Sequence, residues 1–182
     1  MFNNKIDFPQ TNVDYAKLIE SFRAHDKSNA GILNRAQYKK LLKDMKLYRA
    51  EDFATITYNG VKDPSKPGIT FDMARIICEA SAPNQSKKSK LNSLIYFRGV
   101  DDDQDGKINS DQFTKIAALV DKQLSKSEIA NIFNSCMPDE DQKVSYSNVA
   151  RKLFGLLVWG EEDPYSMKLS NYSPVSQACL LI

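Results

Sequence analysis

The chain of 182 residues carries a net charge of only +2 and is 42% apolar, so it can bury the core of one compact domain or of two small lobes. Its one basic cluster, around Lys87 and Lys88, is short and lacks interleaved aromatic residues, so nucleic acid is not a predicted partner. No apolar run reaches the roughly 18 residues of a membrane span, and the first residues lack the apolar segment of a secretory signal. The three cysteines are odd in number and far apart, which predicts free thiols in a reducing, cytoplasmic compartment.

The first predicted unit is a helix, a polar loop and a second helix. The incoming helix spans residues 13–24, and Thr11 with Asp14 can cap its start. The loop begins at Asp26, with Gly31 sixth and Leu33 eighth. Apolar residues at helical spacing mark the two helices: Tyr15, Leu18, Ile19 and Phe22 in the first, and Tyr38, Leu41, Leu42 and Met45 in the second.

A second loop and a polar connection follow. Tyr58 precedes a loop that begins at Lys62 and has Ile69 eighth, and Ile76 and Ile77 belong to the helix that leaves it. Residues 81–90 are polar and contain proline, which predicts a linker between two halves of the chain.

The third loop, residues 101–112, carries the strongest chemical signal in the chain. Carboxylates stand at its first, third and fifth positions (Asp101, Asp103 and Asp105), and Gly106 is sixth. A hard cation prefers oxygen ligands, alternate residues of a tight turn point inward, and glycine tolerates the sharp turn. Apolar stripes flank the loop: Leu91, Leu94, Ile95 and Phe97 before it, and Phe113, Ile116, Ala117 and Val120 after it.

The fourth unit has the clearest helix start. Ser125 and Glu128 are spaced as a capping box, in which each side chain bonds the backbone N–H of the other residue. A loop begins at Met137, with Val144 eighth.

The four loops begin at residues 26, 62, 101 and 137, which are 36, 39 and 36 residues apart. The third loop resembles an EF-hand, and the whole series over residues 11–155 is similar to the calmodulin and troponin C family of four-EF-hand proteins. The resemblance implies an all-α fold of two lobes, residues 1–80 and 91–155, with a C-terminal tail over residues 156–182. It also implies a short antiparallel ladder in each lobe, pairing Leu33 with Ile69 and Ile108 with Val144.

The resemblance further implies a calcium site in the third loop. Its ligands would be the side chains of Asp101, Asp103 and Asp105, the carbonyl oxygen of Lys107, a water held by Asn109, and Gln112. The twelfth position of the family's loop is Glu, and Gln112 offers at most one neutral oxygen, so we expect weak affinity of about 10⁻⁵–10⁻³ M and poor discrimination against Mg²⁺. Asn109 and Gln112 also fit the N-cap and N3 positions of the next helix, so Gln112 can serve the helix instead of the ion.

The other three loops lack a comparable set of ligands. The first has Asp26 but alanine fifth, the second places Lys62 and Lys66 where ligands belong, and the fourth has methionine first and asparagine twelfth. We therefore expect one metal site in four loops.

The C-terminal tail carries two further signals. Residues 153–159 are more apolar than an outgoing helix requires, and they can dock on the body, cover a groove or contact a membrane. The last four residues, from Cys179, resemble a prenylation box, which predicts reversible membrane association; the alternative is an apolar terminus packed on the body.

The predicted function is non-enzymatic, because the sequence has no phosphate loop, nucleophile elbow or pair of catalytic acids. The leading interpretation is a calcium-responsive adaptor in which the third loop reorients its helices and exposes a groove for a partner helix. The alternative is a structural subunit, similar to a myosin light chain, that grips a partner helix without calcium. A calcium buffer is a weaker third interpretation, because one weak site stores little calcium.

Overall fold

The computed structural model describes residues 12–174, and helices dominate this part of the chain. In order, the elements are α1 Tyr15–His25, β1 Ile32–Leu33, α2 Arg35–Asp44, α3 Glu51–Val61, β2 Ile69–Thr70, α4 Phe71–Ala80, α5 Lys90–Val100, β3 Lys107–Ile108, α6 Ser110–Val120, α7 Lys126–Ser135, β4 Val144–Ser145, α8 Tyr146–Lys152 and a 3₁₀ helix, Leu169–Tyr172. None of the helices in the described range is long and apolar enough to cross a bilayer. The prediction of a mainly α protein is confirmed.

The four short strands form two antiparallel ladders with the predicted register. Strand β1 pairs with β2, with Leu33 opposite Ile69, and β3 pairs with β4, with Ile108 opposite Val144. All four side chains are fully buried. Each ladder therefore joins two successive loops at the surface of the core.

Capping decides where two of the helices begin. The predicted capping box of α7 is present, with the Ser125 N–H donating to Glu128 at 2.8 Å. Helix α1 begins at Tyr15, two residues later than predicted, because the Asp14 carboxylate accepts the Lys17 N–H at 2.9 Å and so caps that end. Thr11, the other predicted cap residue, lies outside the described residues.

Helices α3 and α5 lie against each other with their backbones in contact. A Cβ at Gly60 would lie 1.9 Å from the Ile95 carbonyl oxygen, and a Cβ at Gly99 would lie 2.1 Å from that of Ile56. Only glycine permits so close an approach from both sides. The contact places the helix that enters the second loop beside the helix that enters the third.

The segment predicted to be a linker, residues 81–90, makes hydrogen bonds to the neighbouring helix and is partly buried. Residues 81–89 form turns between α4 and α5, and the Asn92 side-chain amide donates to the carbonyl oxygens of Ala80 and Ser86 at 3.1 and 3.0 Å. Ala82 is buried as well. The connection between α4 and α5 is thus held in place by hydrogen bonds and by the burial of Ala82.

The apolar segment after α8 docks on the body, as one of the three predicted alternatives requires. Leu153, Phe154 and Val158 are buried, whereas Leu157 and Trp159 are 81% and 83% exposed. One side of the segment therefore faces the core, and the other side faces solvent. Cys179 lies outside the described residues, and its prenylation stays a prediction.

Candidate metal centre

Three aspartates converge in the loop between α5 and α6. One carboxylate oxygen from each of Asp101, Asp103 and Asp105 lies within 4.8 Å of the others. Asp101 ends α5 and is only 2% exposed, whereas Asp103 and Asp105 reach solvent. Within residues 12–174 this is the one group of three or more potential metal-ligating side chains that meets this distance. The loop that the sequence predicted to bind a metal ion is therefore the loop whose three carboxylates lie close together.

The two oxygens of Asp101 have different surroundings. Oδ2 accepts the Gly106 N–H and the Tyr165 hydroxyl, each at 2.9 Å. Oδ1 is buried and has no hydrogen-bond partner, and it is the single such side-chain atom in the described part of the chain. A buried carboxylate oxygen without a partner is costly, and a bound cation would relieve that cost.

Backbone geometry produces the turn that brings these groups together. Gly106 has a φ of +77°, a left-handed conformation that suits glycine because it has no Cβ. The turn points the Gly106 N–H back at Asp101, and β3 begins at the next residue. The Gly106–Asp101 hydrogen bond and the left-handed Gly106 thus define the start of the loop.

The electrostatics of the group favour a positive ligand. Burial raises the pKa of Asp101 to about 6, against the lowering effect of its hydrogen bonds from Tyr165 and Gly106, while Asp103 and Asp105 raise it further. The pKa of Asp103 is lowered, chiefly by its hydrogen bond with Lys143. A cation placed among these carboxylates would favour the charged form of all three.

Two lysines cross between the third and fourth loops. The Lys143 ammonium, from the seventh position of the fourth loop, lies 2.9 Å from Asp103 Oδ2 and 2.7 Å from Asp105 Oδ2. The Lys107 ammonium, from the seventh position of the third loop, lies 2.7 Å from Asp139 Oδ2. Each loop therefore presents a cation to the carboxylates of the other.

Gln112 and Asn109 form the capping box that the sequence offered as the alternative to a metal ligand. Gln112 Oε1 accepts the Asn109 N–H at 2.9 Å, and Asn109 Oδ1 accepts the Gln112 N–H at 3.0 Å. Gln112 Nε2 donates to the Val100 carbonyl at 2.6 Å. Both ends of the Gln112 side chain are thus engaged at the start of α6, next to the aspartates.

The first and fourth loops direct their carboxylates to their own backbone. Asp26 Oδ2 accepts the Gly31 N–H at 2.6 Å, and Asp26 Oδ1 accepts the Ala30 N–H at 3.0 Å. Asp139 Oδ1 accepts backbone N–H groups of Asp141 and Lys143 at 3.0 and 2.9 Å. Each of these carboxylates therefore stabilises the turn of its own loop.

The C-terminal segment crosses the third loop, which sequence reasoning missed. Arg98 Nε donates to the Pro164 carbonyl at 2.8 Å, and the same guanidinium bonds the Met167 carbonyl. These bonds hold Tyr165 over Asp101. The sequence contained no signal for Tyr165, which is 64 positions from its partner. Lys143 could have been noticed, because Lys107 occupies the same position in the paired loop.

Comparison with protein-family models gives no match for this chain, and comparison with curated proteins gives none either.

Proposed function

We propose that the chain is a two-lobe EF-hand protein that binds one Ca²⁺ ion in the loop of residues 101–112 and responds to it as an adaptor for a protein partner. One observation carries this proposal: Asp101 Oδ1 is a buried carboxylate oxygen without a partner, on the first of three converging aspartates. Such an arrangement is costly without a cation and favourable with one.

The residues present suit a hard divalent cation. Asp101, Asp103 and Asp105 would supply the charged ligands, and the Lys107 carbonyl, Asn109 and Gln112 remain the predicted neutral ones. Bound calcium would supply the positive charge that three close carboxylates lack. Because Gln112 is engaged in the helix cap, the neutral contribution is small, which favours weak affinity and admits Mg²⁺ at the same residues.

A response can travel from this loop to distant parts of the molecule. Asp101 ends α5, which packs backbone to backbone on α3 through Gly99, and its carboxylate bonds Tyr165 of the C-terminal segment. A shift of α5 on calcium binding would therefore change its contacts with α3 and with the C-terminal segment. The partner proposed is an amphipathic helix, received in a groove that opens beside α5 and α6.

A second candidate function is a structural subunit that holds its partner helix without calcium. It is favoured by the Lys143 ammonium, which lies against two of the three aspartates. In this case the third loop would serve the fold alone.

We place the protein in the cytoplasm. Cys78 and Cys136 are buried free thiols, as expected for a protein in a reducing compartment. Prenylation of Cys179 would add reversible membrane association.

Calorimetric titration of calcium into the wild-type protein and into Asp101→Asn tests the proposal. We expect one binding event in the wild type and its loss in Asp101→Asn, because that substitution removes the buried charge with little change of shape. Asp26→Asn is the matched control: it changes the same position of the first loop, where the carboxylate bonds the backbone, and should leave the titration unchanged. No heat in any of the three proteins would reject the calcium function and favour the structural subunit.

A further inference from the structure

Lys143 belongs to a loop that is braced by hydrogen bonds to Asp139. Its backbone N–H donates to Asp139 Oδ1 at 2.9 Å, and its carbonyl oxygen accepts the Asp139 N–H at 2.9 Å. The next residue, Val144, pairs with Ile108 in the ladder to the third loop. The fourth loop thus fixes the base of the Lys143 side chain relative to the third loop.

The ammonium group of this side chain lies between two exposed aspartates. Its distances to Asp103 Oδ2 and Asp105 Oδ2 are 2.9 and 2.7 Å, and the Lys143 side chain is only 25% exposed. A lysine is charged at physiological pH, so both contacts are ion pairs. Asp101, the third carboxylate, makes no ion pair with it among the described contacts.

We infer that Lys143 is a tethered competitor of the metal ion, so that calcium binding at the third loop is an exchange of one cation for another and Lys143 lowers the affinity of the site. The inference rests on the proposed calcium function. The ammonium bonds two of the three carboxylates that a metal ion would use, and it cannot diffuse away. A divalent ion must displace it and then remains near a repelled positive charge.

The competition should be measurable but moderate. Asp103 and Asp105 are 61% and 40% exposed, so solvent screens their attraction to Lys143. Removal of the ammonium should therefore tighten calcium binding by about three- to tenfold.

Lys39 provides a matched control outside the calcium site. Its ammonium lies 2.6 Å from Glu51 Oε2, and the exposed fractions of these two side chains, 29% and 59%, are close to those of Lys143 and Asp103. Neutralising either lysine changes the net charge equally. A difference between the two variants therefore reports the contact of Lys143 with the site.

The first test is calorimetric titration of calcium into the wild type, Lys143→Gln and Lys39→Gln. We expect Lys143→Gln to bind about three- to tenfold more tightly than the wild type and Lys39→Gln to stay within about twofold of it. Tighter binding by Lys143→Gln alone, or binding by that variant where the wild type binds none, supports the exchange. Equal affinities in the three proteins, or weaker binding by Lys143→Gln, overturn the inference and leave the calcium site standing. No binding by any of them overturns both.

The second test uses the unaltered protein. A limiting amount of an amine-reactive reagent, read out by peptide mass spectrometry, should label Lys143 slowly without calcium and faster at saturating calcium, because the displaced ammonium reaches solvent. Lys39, which pairs with Glu51, should label at the same rate in both conditions. Lys143 labelling that calcium does not change would contradict the exchange, whatever the affinities of the variants.

Discussion

Gln112→Glu separates the two roles that the twelfth residue of the third loop can have. Gln112 Nε2 donates to the Val100 carbonyl at 2.6 Å. A glutamate has no donor there and would place a carboxylate oxygen against a carbonyl oxygen, although it can still accept the Asn109 N–H. We expect the substitution to lower the free energy of unfolding by about 1 kcal/mol in a chelator, which is the value of one lost hydrogen bond.

Calcium should offset this loss. A glutamate at position 112 adds a fourth negative charge and a second oxygen, so the affinity should rise at least about tenfold. At about 1 mM calcium, a Kd of about 10⁻⁴ M stabilises the folded protein by about 1.4 kcal/mol, and a Kd of about 10⁻⁵ M stabilises it by about 2.7 kcal/mol. The variant should therefore be less stable than the wild type in chelator and about equal to it in calcium.

Thermal unfolding in chelator and in calcium measures both effects. For a chain of this size, 1 kcal/mol corresponds to about 2–4 °C in Tm. The control is Gln37→Glu, because Gln37 caps α2 in the same way, with Oε1 accepting the Asn34 N–H and Nε2 donating to the His25 carbonyl, each at 2.8 Å. The first loop lacks the three aspartates, so this variant should lose stability without recovery in calcium. Equal behaviour of the two variants would refute a metal site next to Gln112.

Three further substitutions, one of them a control, test the elements that hold the site in place. Gly99→Ala should destabilise the fold by more than about 3 kcal/mol in urea unfolding, because its Cβ would lie 2.1 Å from the Ile56 carbonyl oxygen. Gly155→Ala should cost only about 1 kcal/mol, since a Cβ there meets nothing within 4 Å and only its φ of +67° is unfavourable; similar losses in both would disprove the close packing of α3 on α5. Tyr165→Phe should weaken calcium binding about tenfold in calorimetry, because the Tyr165 hydroxyl orients the Asp101 carboxylate, and an unchanged affinity would show that the C-terminal segment does not support the site.

The sequence predicts the local parts of this fold well. The four loops begin at near-constant spacing. Pairing the eighth residues of successive loops predicts that Leu33 lies opposite Ile69 and Ile108 opposite Val144, which the structure confirms. The capping box of α7 depends on two residues three positions apart, and the three aspartates converge because a short loop brings alternate residues together. In each case the information lies within a few residues of the feature.

The remaining features depend on contacts between distant segments. The approach of α3 to α5 needs glycine on both helices, and neither Gly60 nor Gly99 has a distinctive neighbourhood in the sequence. Tyr165 reaches Asp101 only because Arg98 holds the chain before and after it. Lys143 lies 40 positions from Asp103, and only the position that it shares with Lys107 in the paired loop points to this contact. Side-chain contacts at such separations follow mainly from the folded packing.

The central claim is that the loop beginning at Asp101 binds calcium and the other loops do not. A calcium titration followed by residue-resolved amide NMR tests it most directly, because the Gly106 N–H bonds the Asp101 carboxylate and the Gly31 N–H bonds Asp26 in the same way. We predict saturable shifts for Asp101–Gly106 with one Kd of about 10⁻⁵–10⁻³ M, and no saturable shift at Gly31. The absence of a saturable shift at Gly106 up to roughly 10 mM calcium, beyond the weakest sites of this kind, would contradict the claim.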